Sequence, residues 1–417
     1  MRLLQPLRTR EVALLWAGLS LSAVGDQLYA VTLSWVAVAV FGPAAGYLTA
    51  LQAAVTLLAA LGLGKWADGW NAQSTLIAAD LIRMAVLLAL VAAWLALGGP
   101  AALPLIVAVV VLAAAQAVFQ PALQFVLPSL LPDRTLLPAA NALLDATDRS
   151  ARLLGPGLIA ILAGALPAVH FVSLDAASFL LSAGALVLIR GRRRVEQVRP
   201  PSGETTWEAI GRGVHAMTAH PLLGYVLRTS AMVNGAWYAT YFLAIPLLIE
   251  HLSIQGPGGT GLGAFGLVIA AYGSTNLLST LTLGGRPMPA RPQRLMFCGS
   301  IITGLGTALI VLVPALPAEW RLPGLAGAAA IAAIGGPMKD IPFAVLRQTR
   351  LPARDLAAGM RAYIATSSGG ALVAMLIAPI LLHAVSASTF ILDCAAVMMA
   401  SGATGLLRHR GHIEAEL

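Results

Sequence analysis

The sequence predicts an all-α polytopic membrane protein in which twelve transmembrane helices form two six-helix pseudo-repeats. The first observation is compositional: of 417 residues, 58% are hydrophobic and 11% are charged, with a mean hydropathy of +0.83. Soluble globular domains do not have this composition. The second is a series of apolar runs of about 20 residues, the length at which a helix crosses the bilayer core with its backbone hydrogen bonds satisfied internally. The third is a basic, polar stretch from Arg190 to Pro221 that separates these runs into two sets.

Each predicted span is an apolar run between polar, charged, glycine-containing or proline-containing segments. The spans cover residues 12–40, 44–66, 74–97, 102–126, 138–165, 168–189, 222–249, 261–284, 293–314, 322–346, 356–383 and 386–407. The first run follows a basic N-terminal segment, as a signal peptide does, but it is too long and lacks a cleavage-like end. We therefore predict that it is a retained span.

The arginines predict the orientation, because cytoplasmic loops are enriched in basic residues. An even number of spans places both basic termini on one side, which we expect to be cytoplasmic. The predicted inside segments carry Arg2, Arg8, Arg10, Arg134, Arg190, Arg192, Arg193, Arg194, Arg199, Arg212, Arg286, Arg291, Arg294, Arg347, Arg350, Arg354, Arg408 and Arg410. Arg321 is the only basic residue in a predicted outside loop. Because the arginines lie in short loops, the net charge of +8 indicates topology and argues against nucleic-acid binding.

The chain is predicted to have four parts. These are an N-terminal bundle (1–190), a cytoplasmic basic linker (191–220), a C-terminal bundle (221–410) and a cytoplasmic tail (411–417). The two bundles contain an internal repeat: Asp393 follows Asp175 by 218 positions within similar sequences, and Leu351-Pro352 follows Leu131-Pro132 by 220. Duplicated six-helix units of this kind rock about a central site in transporters. The equivalent positions of Asp175 and Asp393 predict a shared architectural hydrogen bond.

Several motifs resemble the major facilitator superfamily. They are Gly25-Asp26, Gly64-Lys65-Trp66-Ala67-Asp68-Gly69, Ala79-Asp80-Leu81-Ile82-Arg83, Gln120-Pro121-Ala122, Leu137-Pro138-Ala139-Ala140-Asn141, Leu154-Gly155-Pro156 and Leu174-Asp175-Ala176-Ala177. Within that superfamily the chain is similar to the twelve-helix branch of enterobactin-type siderophore exporters and macrolide-efflux pumps. The resemblance covers nearly the whole chain. It implies a secondary transporter of the bacterial inner membrane that exports an amphiphile by proton coupling.

Ionisable groups inside a span are costly, by about 2.5–3.5 kcal/mol on insertion scales, and so indicate function. Asp26 lies near the middle of the first span, close to Tyr29 and with no basic residue within a turn. We predict that Asp26 exchanges a proton and that both residues contact substrate. The alternative is a structural carboxyl group hydrogen-bonded to a neighbouring helix.

Lys339 and Asp340 form a second ionisable site, in the tenth span. Adjacent helical residues point about 100° apart, so we expect each side chain to find a separate partner or to face the cavity. Gly335-Gly336-Pro337 and Pro342 should loosen this helix, as in the discontinuous helices of transporter sites. Lys339 would hold an anionic or metal-chelating substrate group, and Asp340 would share the proton role. Alternatively, both side chains snorkel to the cytoplasmic surface.

Polar and aromatic side chains predict further substrate contacts. The seventh span, which the resemblance places beside the cavity, carries Asn234, Trp237, Tyr238 and Tyr241, and the fourth carries Gln116 and Gln120 on one face. Aromatic rings with polar tips suit amphipathic ligands. The alternative for the aromatic residues is a belt at the membrane interface.

Charged residues near the cytoplasmic side are predicted to form the gate. Asp145, Asp148, Arg149 and Arg152 share one face of the fifth span at i,i+4 spacing. We expect them to form ion pairs there, with Asp80 and Arg83 of the third span as partners. The resemblance adds Asp68 to this set.

The sequence therefore predicts a proton-coupled exporter of a siderophore-like or drug-like amphiphile. The partners are a small-molecule substrate, protons and the lipid bilayer, and the protein is expected to be monomeric. No nucleotide-binding loop or catalytic set is present, so we expect no enzymatic activity and no cofactor. The histidines fall in loops or at span ends, which disfavours a metal site. The alternatives are a lysolipid or lipid translocator, a metal-ion exporter and a non-transporting membrane scaffold.

Overall fold

The computed structural model describes residues 2–62, 71–131, 133, 136–189, 206–284, 286, 288–352 and 355–409, and every regular element in these ranges is helical. The α-helices are α1 (Arg10–Phe41), α2 (Ala45–Gly62), α3 (Ala72–Leu97), α4 (Ala102–Leu130), α5 (Leu137–Leu162), α6 (Ala168–Leu188), α7 (Thr206–Thr218), α8 (Pro221–Ala239), α9 (Ile245–His251), α10 (Gly261–Gly284), α11 (Pro292–Leu309), α12 (Ala318–Arg350), α13 (Leu356–Ala384) and α14 (Ala387–Arg408). A π-helical turn, Thr240–Ala244, joins α8 to α9, and a 3₁₀ segment, Ile310–Ala315, extends α11.

These helices account for the twelve predicted spans. Ten segments of the described chain are long and apolar enough to cross a membrane, and the first of them, Arg10–Ala59, contains α1 and most of α2. Helix α5 has 26 residues, enough to cross, but its four charged side chains keep it out of that set. Counting α1 and α2 separately and including α5 gives twelve. The predicted fold class is confirmed, and the chain is a multi-pass membrane protein.

The helices divide into two compact units. The first unit comprises Met1–Gly42 and Leu51–Ser202, and the second comprises Pro43–Ala50 and Gly203–Leu417. In the first, α6 packs between α1 and α3, α1 also packs against α5, and α3 packs against α4. In the second, α14 packs between α8 and α11, α8 also packs against α13, and α11 packs against α12. Spans that match in the sequence repeat therefore have matching neighbours.

Side chains satisfy the helix ends in the first unit. The Asn71 side-chain oxygen accepts hydrogen bonds from the backbone N–H groups of Gln73 (3.0 Å) and Ser74 (3.2 Å), which α3 leaves without intrahelical partners. The Gln73 amide then donates to the carbonyl oxygens of Leu186 (2.7 Å) and Ile189 (3.1 Å). Asn71 thus caps the start of α3, and Gln73, two residues later, binds the C-terminal end of α6 to α3.

Glycines allow close helix packing in the second unit. Lipid tails are as apolar as leucine, so helices in a bilayer associate through close contact rather than through the hydrophobic effect. A Cβ atom at Gly235 of α8 would lie 2.7 Å from the carbonyl oxygen of Gly370 on α13. A Cβ atom at Gly299 of α11 would lie 2.6 Å from the carbonyl oxygen of Gly335 on α12. Larger residues at either position would force these helices apart.

The predicted linker contains a helix. Helix α7 packs on α13, with Met217 fully buried and the Arg212 Nη1 atom 3.1 Å from Asp355 Oδ1. Residues 190–205, the predicted tail and the loop that carries Asp68 lie outside the described residues, so the predictions for these segments stay predictions. The second half of the linker therefore packs as part of the second unit.

Candidate functional sites

A buried polar cluster lies inside the first unit. Asp80 and Arg83 of α3 are 0% and 2% exposed, and Asp175 of α6 is 1% exposed. Asp26 of α1 is half-buried, and Arg83, Asp80 and Asp175 all interact with it electrostatically. We call these four residues the acidic cluster. The packing of α6 between α1 and α3 brings them together.

Arg83 is the cation of the acidic cluster. Its Nη1 atom lies 3.5 Å from Asp80 Oδ1, and its Nη2 atom donates a hydrogen bond to the side-chain oxygen of Gln116 on α4. The guanidinium carbon also lies 4.4 Å from the ring centroid of Phe119 and 5.3 Å from that of Phe179. These aromatic faces stabilise the charge where water is excluded. Arg83 lies about 16 Å along α3 from its first residue, and so deep in the span.

Gly25 lets α1 approach the acidic cluster. A Cβ atom at this position would collide with the carboxylate of Asp175 and the hydroxyl of Ser178. Ser178 donates to Asp175 Oδ1 at 3.2 Å, whereas the other carboxylate oxygen has no hydrogen-bond partner among the described residues. The buried Tyr29 hydroxyl is likewise without a partner in this part of the chain and interacts electrostatically with Asp175. The substrate role predicted for Tyr29 stays a prediction.

The prediction that ion pairs join the third and fifth spans is wrong. Arg149 of α5 pairs with Asp145 of the same helix at 2.9 Å, with 47% and 65% of the two side chains exposed. Within the described residues, no ion pair joins α5 to Asp80 or Arg83. The reason is the helix order, since α3 packs on α4 and α6 while α5 packs on α1. Asp148 and Arg152 are exposed on α5, and the gating role of this helix stays a prediction.

The two glutamines of the fourth span have different environments. Gln116 accepts the hydrogen bond from Arg83, whereas Gln120, one turn later, is exposed. Gln116 therefore belongs to the support of the acidic cluster. Gln120 remains available for the substrate contact predicted for it.

Asp175 and Asp393 do not share an architectural hydrogen bond, contrary to the prediction. Asp175 is buried and accepts from Ser178, whereas Asp393 of α14 is exposed and accepts no hydrogen bond among the described residues. The residue at the position equivalent to Ser178, 218 positions later, is Ala396. Its side chain has no hydroxyl group to donate. The repeat preserved the carboxyl group but not its partner.

Lys339 and Asp340 pair with each other in the second unit. The Lys339 Nζ atom lies 3.6 Å from Asp340 Oδ1, and the two side chains are 20% and 61% exposed. The expectation of separate partners was wrong, because the flexible four-carbon stem of lysine reaches a neighbour that points about 100° away. Lys339 also lines a small pocket with residues of α8, α11, α13 and α14.

Helix α12 is continuous through its prolines, although the sequence predicted that they loosen it. Pro337 has no N–H group to donate to the carbonyl oxygen of Ala333 one turn earlier. The side-chain amide of Asn276 on α10 donates to that oxygen at 3.3 Å, and Ser279 donates to the carbonyl oxygen of Ile334 at 3.0 Å. Helix α10 thus supplies a donor in place of the N–H group that Pro337 lacks. It also holds the turn that precedes Lys339.

An aromatic cluster lies around Trp237 in the second unit. The Trp237 indole N–H donates to the Tyr272 hydroxyl at 2.9 Å, and its ring stacks on that of Tyr241 with centroids 5.4 Å apart. Tyr241 is fully buried, whereas Tyr238 is 40% exposed and Asn234 is half-buried. Sequence reasoning missed Tyr272. The available signal was its place one turn before Asn276, at the start of the polar part of a predicted span.

The described residues contain no group of three or more His, Cys, Asp or Glu side chains that could hold a metal ion. The acidic cluster is compatible with proton binding, since its carboxyl groups lie in apolar surroundings beside a fixed cation. The aromatic cluster and the Lys339 pocket offer rings, hydroxyls and one ammonium group. This is the chemistry of a small-molecule site.

Comparisons with known proteins identify the fold. No protein-family model matches the chain, and no curated protein matches it at a significant level. Among solved structures, a bacterial homologue of the iron transporter ferroportin has a TM-score of 0.70 at 15% identity, covering 95% of this chain and 97% of its own. The nucleoside transporter NupG has a TM-score of 0.70 at 12% identity, covering 95% and 100%. The POT family transporter PepTSo has a TM-score of 0.68 at 12% identity, covering 96% and 98%. The chain therefore shares the fold of these transporters, a major facilitator fold.

Proposed function

We propose that the chain is a proton-coupled secondary transporter that exports a siderophore-like or drug-like amphiphile across the bacterial inner membrane by alternating access. The acidic cluster of Asp26, Asp80, Arg83 and Asp175 is the observation that carries this proposal. The fold supports secondary transport, because structures of the same fold belong to a POT family transporter, a nucleoside transporter and a bacterial homologue of an iron transporter. Export and the class of substrate rest on the sequence resemblance.

The proton role follows from the charge balance of the acidic cluster. Three carboxylates and one guanidinium would carry a net charge of −2 if all were ionised. Charges buried in the bilayer are costly unless they are paired, and Arg83 compensates only one of them. A proton on one carboxyl group removes a buried charge. Because the four residues lie on α1, α3 and α6, binding and release of this proton alter the attraction between three helices.

Asp26 is the member of the acidic cluster that we assign to proton exchange. It is half-buried, whereas Asp80 and Asp175 are almost fully enclosed. We therefore reassign Asp80 and Arg83, which the sequence predicted as gate residues, to the support of Asp26. Asp340, with 61% of its side chain exposed, remains the second proposed proton site.

The aromatic cluster supports an amphiphilic substrate. Trp237, Tyr238 and Asn234 offer flat apolar area with polar tips. Tyr241 is fully buried behind Trp237, so we assign it to positioning that ring rather than to touching the substrate. The two similar units suit alternating access, in which such repeats move about a central site.

The test begins with a growth screen of a deletion strain against siderophores and macrolides, which supplies a transported compound. Uptake of that compound into everted vesicles is then measured with and without an imposed pH gradient. We expect Asp26→Asn to abolish pH-driven uptake while substrate exchange in the absence of a gradient persists. The matched control is Asp393→Asn, which removes an exposed carboxyl group from another apolar helix and should leave uptake intact.

Two outcomes contradict the proposal. Undiminished pH-driven uptake by the Asp26→Asn variant removes this residue from the mechanism. Wild-type uptake that does not depend on the pH gradient, together with transport of a fluorescent lysolipid, favours the lipid translocator instead.

A further inference from the structure

The second unit contains a small polar pocket. Its volume is about 20 Å³, and its polar lining consists of Thr229, Ser230, Ser300, Lys339, Tyr363 and Ser401. A water molecule requires roughly 10–15 Å³ by a comparable measure. The polar part of the pocket therefore accepts one or two water-sized groups.

We propose that this pocket binds the carboxylate group of the transported amphiphile, with Lys339 as its ion-pair partner. This rests on the proposed function in one respect, namely that the carboxylate belongs to the transported substrate. It narrows the substrate class from amphiphiles in general to organic acids.

The charges favour an anionic ligand. Lys339 is the only charged residue among the described residues that line the pocket. Asp340 lies 3.6 Å from the lysine, but its side chain is 61% exposed and is not part of the lining. A carboxylate inside the pocket can therefore replace Asp340 as the partner of Lys339, or share the ammonium group with it. Arg347 adds positive charge nearby, because its guanidinium carbon lies 5.3 Å from the Phe343 ring centroid and 5.8 Å from that of Tyr363.

The hydroxyl groups supply the remaining donors. Ser230 donates to the carbonyl oxygen of Leu227 at 2.7 Å, and Thr229 donates to that of Tyr225 at 3.0 Å, so both are engaged within α8. Neither Tyr363 nor Ser401 donates a side-chain hydrogen bond to another described residue. An ammonium group with two free hydroxyls matches the lone pairs of one carboxylate.

The size and walls of the pocket define the rest of the ligand. The two oxygens of a carboxylate match a space that accepts one or two water-sized groups, whereas a phosphate group has four oxygens to place. The rings of Phe343 and Tyr363 pack with centroids 4.9 Å apart, and both line the pocket. They offer apolar contact to the carbon skeleton next to the carboxylate. An aromatic or alkyl carboxylic acid fits this arrangement.

The experiment measures binding to the full-length protein in detergent, without a gradient. The probes are benzoate, its neutral amide benzamide, and chloride, each followed by thermal denaturation, since a ligand of the native state raises its stability. We expect benzoate to raise the midpoint in a concentration-dependent manner and benzamide and chloride to leave it unchanged. Lys339→Gln should abolish the benzoate response. Arg361→Gln, which removes an exposed charge of α13 outside the pocket lining, should retain it.

A labelling experiment on the wild-type protein keeps the test decisive if Lys339→Gln fails to fold. The sequence has two lysines, Lys65 and Lys339. We expect benzoate, but not benzamide, to slow acetylation of Lys339 by acetic anhydride at least two-fold, relative to Lys65 in the same digest.

Equal stabilisation by benzoate and benzamide, a benzoate response that survives in Lys339→Gln, or equal protection of Lys339 by chloride would overturn the assignment. These results are separable from failure of the proposed function. Benzoate binding in a protein that shows no gradient-driven transport contradicts only the transporter proposal. Proton-coupled transport without benzoate binding contradicts only the carboxylate site.

Discussion

Replacing Arg83 by methionine should strongly destabilise the first unit. Methionine retains an unbranched stem against the rings of Phe119 and Phe179 but leaves Asp80 and Asp175 without their cation. Removal of one partner from a buried ion pair costs about 3–5 kcal/mol, because the remaining charge stays buried and uncompensated. We expect Arg83→Met to lower the free energy of unfolding by about this amount.

The matched control is Arg149→Met. This residue forms the exposed pair with Asp145 on α5, and such i,i+4 pairs contribute only about 0.3–0.5 kcal/mol. Both variants are unfolded by titration with sodium dodecyl sulfate in mixed micelles and followed by circular dichroism. The difference between the two free energies of unfolding should be at least about 2 kcal/mol.

A second substitution tests the cause of the loss. If the uncompensated charge of Asp80 is responsible, Asp80→Asn should recover part of the stability in the Arg83→Met background, with a coupling energy of about 1–3 kcal/mol. Equal losses in Arg83→Met and Arg149→Met, or strictly additive losses in the double variant, would refute the reasoning.

Two further predictions concern helix packing. Gly25→Ala places a methyl group against a buried carboxylate and should cost about 1–3 kcal/mol in the same titration, whereas Gly157→Ala, which meets open space, should be nearly neutral. A neutral result at position 25 would contradict the close approach of α1 and α6. Asn276→Ala should cost about 1 kcal/mol, because the carbonyl oxygen of Ala333 loses its donor. Pro337→Ala should restore stability in that background by returning the missing N–H group, and a further loss would show that Asn276 acts otherwise.

Hydropathy and charge patterns predicted the number, type and order of the spans, because the bilayer imposes length and composition on each helix independently. They also located the ionisable residues inside spans. They did not identify partners. Asp26 lacks a basic residue within a turn, and its cation, Arg83, comes from another helix that only tertiary packing brings near.

Predictions from local helix geometry were wrong at two further positions. The angle between neighbouring side chains suggested that Lys339 and Asp340 stay apart, but side-chain length outweighed the angle. The proline at position 337 predicted a loosened helix, but Asn276 of a different span supplies the missing donor. In both cases a long or polar side chain compensated for a local preference, which sequence spacing alone does not reveal.

The duplicated architecture separates two kinds of chemistry along the gene. The carboxyl groups around Asp26 are encoded in the first half, whereas the aromatic rings and Lys339 are encoded in the second. Substitutions in the second half can therefore change the rings and the ammonium group of the proposed substrate sites while the acidic cluster stays unaltered. A chain built in this way can vary one polar site in sequence independently of the other.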